Sequence, residues 1–94
     1  MSVRLDKTWL TLNPLEVAKL GGQLGVFQLA NGQGEVQYVG CADSRSLFGL
    51  RGELEVHLDH AALFRIEITS AYKTRREELL MLHHADHGAY PNLN

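Results

Sequence analysis

Residues 25–40 read GVFQLANGQGEVQYVG. Two short runs of apolar residues flank a polar centre rich in glycine. Val26, Phe27 and Leu29 on one side, and Val36, Tyr38 and Val39 on the other, favour extended backbone. Between them, Asn31-Gly32-Gln33-Gly34 supplies residues that accept the positive φ of a tight reversal. The pattern predicts a β-hairpin with strands over 24–30 and 35–41. It also places an aromatic and a glycine at both ends, which a hairpin as such does not require.

Working outward, residues 5–20 read as an extended lead-in followed by a short helix. Asn13 can cap that helix, Pro14 suits its first turn, and Gly21-Gly22 ends it. Leu15, Val17, Ala18 and Leu20 form its apolar side. After the hairpin, Asp43 or Ser44 can cap a helix over 44–58. Gly49 and Gly52 weaken it by about 1 kcal/mol each relative to alanine. Residues 62–69, ALFRIEIT, alternate apolar and polar side chains as a strand with one buried face does. A last helix runs over 70–88 and stops near Gly88, leaving the polar tail AYPNLN. No repeat, linker or low-complexity segment interrupts the chain. The order helix, hairpin, helix, strand, helix predicts an α+β fold. Its expected form is a small antiparallel β-sheet of three strands flanked by helices, a two-layer sandwich forming a single domain over 1–94.

Composition limits the function classes. Of 94 residues, 45 % are hydrophobic and 21 % charged, and the formal net charge is −2. That is not the composition of a disordered chain, nor the basic profile of a protein that wraps nucleic acid. The single cysteine, Cys41, can form neither an internal disulfide nor a thiolate zinc cluster; it reads as a small buried residue. The start MSVRLDKTWLTLNP lacks the apolar core of a signal peptide, and no apolar run reaches the length of a membrane span. The expectation is a cytoplasmic protein with no membrane partner.

The hairpin has a second reading. GVF (Gly25, Val26, Phe27), about ten residues, then YVG (Tyr38, Val39, Gly40) resembles the paired triplets of the GIY-YIG nuclease superfamily, whose fold is a small antiparallel sheet with helices around it. The resemblance extends over residues 20–94. An arginine follows the second triplet on a helix, here Arg51, with Arg45 as competitor. A later helix carries a metal-binding glutamate, here Glu78 or Glu77. Many members end with a proline and, three residues on, an asparagine, here Pro91 and Asn94. Phe27 stands where most members have tyrosine, and Cys41 stands where repair-enzyme relatives carry lysine.

The resemblance implies a metal-dependent endonuclease using Mg²⁺ or Mn²⁺. In that mechanism Tyr38 is the base that helps activate water, Glu78 or Glu77 holds the metal, and Arg51 clamps the phosphate. Phe27 and Asn94 support the site. Arg45, Arg51 and Lys73 are the expected nucleic-acid contacts, with DNA expected ahead of RNA and a second copy of the chain as a further candidate partner. Family spacing selects Glu77, because Leu80 and Met81 follow it by three and four residues. Helix geometry selects Glu78: at about 100° per residue, Glu78 flanks the apolar side formed by Tyr72, Leu79 and Leu82, while Glu77 points nearly away from it. Thr74 and Glu77 can also form a capping box. Glu78 is therefore the preferred ligand. The alternative reading, from another functional class, is a non-catalytic binding or oligomerisation module that keeps this fold with a degenerate site. The loss of the Phe27 hydroxyl and the acidic balance favour it.

Five histidines complete the candidates. His83 and His87 are four apart on the last helix, a spacing that can present two imidazoles to one metal, with His84 beside them. Their position at a helix C-terminus suits the dipole equally well, and a structural role is expected there. His57 and His60 lie elsewhere.

Overall fold

A computed structural model describes residues 3–94. Its elements are β1 (Leu10–Thr11), α1 (Pro14–Val17), β2 (Gly25–Ala30), β3 (Val36–Ala42), α2 (Gly49–Val56), β4 (Leu63–Ile68) and α3 (Tyr72–His87). The fold is α+β, with an open antiparallel sheet of four strands in the order β1-β4-β2-β3. The expected three strands are therefore four. The extended lead-in pairs Leu10 with Phe64 and Thr11 with Leu63, adding a two-residue strand at one edge. So short a strand is invisible to a periodicity test, because its pairing partner lies more than fifty residues away.

The hairpin takes the centre and the other edge of the sheet. Every residue of β2 is buried, because β2 is flanked by β3 and β4 and covered on both faces. On one face Phe27, Leu29, Ala42 and Phe64 pack with Val17 of α1 and with Leu50 and Leu54 of α2. On the other, Val26 and Val39 pack with Leu5 and with Leu79 of α3. The layers are thus helix, sheet, helix rather than the two expected. Two separate apolar clusters, one on each face, are how this chain buries a central strand.

The helix ends follow local chemistry. Asn13 caps α1 as expected, its Oδ1 accepting from the Glu16 N–H at 2.8 Å. Helix α2 begins later than expected. The Asp43 side chain accepts from the Arg45 N–H at 2.8 Å, making a local turn instead of a cap. Phe48 then adopts a left-handed conformation (φ 63°), as does Gly49 (φ 57°), so the helix starts at a backbone reversal that interrupts the apolar pattern. Gly88, with φ 74°, ends α3 where expected.

Candidate functional site

The close approaches around the hairpin explain its paired glycines. Phe27 lies opposite Gly40 in the β2–β3 register. A Cβ on Gly40 would sit 2.5 Å from Phe27 Cζ and 2.7 Å from Tyr38 Cε2. Gly40 therefore leaves the space in which the two rings meet, their centroids 5.9 Å apart. Gly25 has a different neighbour: a Cβ there would run into the backbone carbonyl of Glu67 on β4. One glycine admits aromatic rings and the other admits a strand.

Tyr38 is half-buried on the edge strand, its ring packed on the α1–α2 face against Phe27 and His57, and it lines one side of an open cleft of about 480 Å³. The cleft is lined by Tyr38, by Arg76, Glu77, Leu80 and Met81 of α3, and by Tyr90 and Asn94 of the tail. The tail is held against β3 as an extra edge. Leu93 N–H donates to Gln37 O at 2.8 Å. The Asn94 amide both accepts from Val39 N–H at 2.8 Å and donates to Val39 O at 2.9 Å. Asn94 thus fixes the residue next to Tyr38.

The remaining expected site residues lie elsewhere. Phe27 is 1 % exposed and belongs to the core, so the first triplet sends no polar group into the cleft. Arg51 is exposed on α2 and pairs with Glu55 at 3.1 Å. Arg45 and Lys73 are exposed and line no part of the cleft. Glu78 pairs with Arg75, which also holds Glu67 of β4 through Nε at 2.8 Å and Nη2 at 3.1 Å. The hydrogen bonds to Glu67, then those to Glu78, hold the Arg75 guanidinium above its ordinary value, against the opposing effect of burial. Tyr38, Arg51 and Glu78 therefore do not converge. The carboxylate beside Tyr38 is Glu77, and the guanidinium there is Arg76.

The geometry of α3 accounts for this exchange. Leu79 is its buried anchor. At about 100° per residue, Arg75 and Glu78 fall on one side of Leu79, and Arg76, Leu80 and Glu77 fall on the other. The first side meets β4, and the second overhangs the β3 edge. The wheel alone shows two flanks but not which strand lies beneath each.

Sequence reading missed His57. It sits at the C-terminal end of α2, half-buried, with its ring 5.1 Å from Tyr38 and 5.7 Å from Phe27. Its Nδ1 is 3.0 Å from Nδ1 of His60. Burial, and next the neighbouring His60, push His57 below the ordinary imidazole value, while Glu53 opposes them. Its only advance signal was the spacing of two histidines three apart after an apolar helix. Cys41 is half-buried against the α3-side cluster as expected. Burial pushes its thiol up, with Arg76 opposing.

Among the described residues, no group of three or more His, Cys, Asp and Glu is arranged to hold a metal ion. The cleft instead offers one carboxylate, Glu77. A single carboxylate can give a hard divalent cation one ligand, with water filling the other positions; it does not form an all-protein cage. No helix is long and apolar enough to cross a membrane. A family model described as a domain of unknown function, DUF7508, matches residues 3–86, so the tail carrying Tyr90 and Asn94 lies beyond the match. No curated protein and no solved structure matches the chain.

Proposed function

The chain belongs to the DUF7508 family, a domain of unknown function, and we propose that it is a GIY-YIG-like phosphodiester-cleaving domain whose substrate is nucleic acid, DNA ahead of RNA. The observation that carries this reading is the presence of Tyr38, Arg76, Glu77 and Asn94 on one open cleft.

Each group has a role its chemistry allows. The Tyr38 hydroxyl oxygen accepts a hydrogen bond from the attacking water and orients it, while the water's proton passes to solvent in the open cleft. The Arg76 guanidinium meets the phosphate with fixed positive charge. Asn94 acts through the backbone: by gripping Val39 it holds Tyr38 at the edge of the cleft, a positioning role. Glu77 would hold Mg²⁺ or Mn²⁺; when bound, the cation supplies charge to the phosphate and the leaving oxygen.

The test is a cleavage assay on single-stranded, duplex and branched DNA, with Mn²⁺ and with chelator. The expected result is metal-dependent cutting, abolished by Glu77→Gln and reduced by about 10²–10⁴-fold by Tyr38→Phe. Glu78→Gln should spare it. Cutting that survives both Glu77→Gln and Tyr38→Phe would overturn the reading.

One observation favours a second reading. Because Phe27 is core, the first triplet contributes packing alone, as in a module that binds without cutting. In that case DNA is bound with affinity falling steeply as salt rises, Arg76→Ala weakens binding, and no substrate is cut.

A further inference from the structure

A second cluster lies on the α2 side of Tyr38. Its members are His57, the C-cap of α2, and His60, one turn later. A backbone hydrogen bond fixes that turn, His60 N–H donating to His57 O at 2.9 Å. The two Nδ1 atoms share a hydrogen bond at 3.0 Å, one ring donating and the other accepting, the rings are close to edge-on with centroids 5.1 Å apart, and an open pocket is lined by Tyr38, His57, His60 and Leu93. The proposed phosphodiester chemistry uses neither imidazole.

We propose that His57 and His60 form a two-imidazole chelate for one borderline transition cation of the Zn²⁺, Ni²⁺ or Cu²⁺ class. Two nitrogens bound to one such ion at about 2.0–2.1 Å stand roughly 2.9 Å apart at a right angle and roughly 3.4 Å apart at the tetrahedral angle. The observed separation falls inside that span; the cation replaces the hydrogen bond between the rings, which tilt so that both Nδ1 lone pairs converge on it. Both ring protons then reside on Nε2, and water occupies the remaining coordination positions. The Tyr38 and Phe27 rings pack against His57 and restrict its rotation, so little side-chain freedom is lost on binding. Burial also favours the neutral imidazole, which is the ligating form. Glu53 of α2 is the acidic group whose charge His57 feels, and it adds attraction for a cation. Imidazole selects these metals over Mg²⁺, so this site and the Glu77 carboxylate draw different ions.

The helical pair His83 and His87, with ring centroids 4.4 Å apart, is the internal competitor. His83 Nδ1 is already 2.9 Å from Ala89 O, which leaves its other nitrogen for a ligand. The experiment is calorimetric titration of the tag-free full chain with ZnCl₂ at pH 7.5, paired with thermal unfolding. The expected result is one Zn²⁺ per chain, a rise in Tm with added Zn²⁺, and no response to MgCl₂. His60→Gln changes an exposed residue, so the fold is retained; it should weaken binding by at least about tenfold. A His83→Gln/His87→Gln double variant should bind like the parent. Absence of Zn²⁺ binding, unchanged affinity in His60→Gln, or loss only in the double variant would each overturn the proposal. The readout is metal binding, so it stands or falls independently of whether the chain cuts DNA.

Discussion

The two flanks of α3 begin from nearly the same sequence and end in opposite states. Arg75, Arg76, Glu77 and Glu78 are consecutive, two cations followed by two anions. On one flank Arg75 is 12 % exposed and holds both Glu67 and Glu78, tying the helix to β4. On the other, among the described residues, neither Arg76 nor Glu77 forms an ion pair, and both line the cleft beside Tyr38. Charges that neutralise one another stabilise and hold a fold. Charges without partners, held at the edge of an apolar cleft, are available to a ligand. The difference lies in what each flank overhangs: a strand that presents a carboxylate, or the edge strand with its tail.

The closed flank should be the sensitive one. Gly25→Ala is expected to have the largest effect, because its Cβ meets the Glu67 backbone and cannot be accommodated by a rotamer change. A loss of about 3 kcal/mol, at the upper end for overpacking, should appear as a lower urea midpoint. Arg75→Ala comes next, at about 2 kcal/mol, since it strands two half-buried carboxylates. Gly40→Ala tests the open flank from beneath. Pushing Phe27 and Tyr38 apart should cost about 1–2 kcal/mol and reduce any activity of the cleft more than a stability loss of that size explains. Arg76→Ala should be nearly silent in stability, within about 0.5 kcal/mol, while weakening nucleic-acid binding. Equal losses for Arg75→Ala and Arg76→Ala would break the contrast.

The smallest expected effect is a pH dependence centred on His57. Its native value lies below the ordinary imidazole value of 6.5, so the unfolded chain binds the proton more readily. Its contribution to stability is complete above about pH 6.5 and is lost as the pH falls from there through the depressed native value. Urea midpoints between pH 7.5 and 5 should decline more steeply for the parent than for His57→Gln. Parallel profiles would remove His57 as the source.

Much of this was legible before folding was considered. The hairpin, the strand at 63–68, the Asn13 cap and the Gly88 stop all follow from contacts within a few residues, where propensity and turn chemistry act directly. The likeness of GVF and YVG to paired triplets drew attention to Tyr38, which does border the cleft. The choice between Glu77 and Glu78 was not legible, because a helical wheel is symmetric about its anchor until the sheet order says which strand lies on each side. Arg51 and Phe27 show the same limit: residue type and spacing made them candidates, and three-dimensional neighbours made one a surface ion pair and the other core. His57 was missed because its partner Tyr38 is nineteen positions away and on another element.

The sequence by itself determined the class of fold, most of its elements and the short-range caps and turns that delimit them, because those depend on local backbone preference. Tertiary structure decided the fourth strand, the covering of the sheet on both faces, the pairing of Arg75 and Glu78 with β4, and the cleft between α3, β3 and the tail. Each of these joins residues far apart in the chain, and what holds them together is burial and charge neutralisation between surfaces that exist only once the chain has folded.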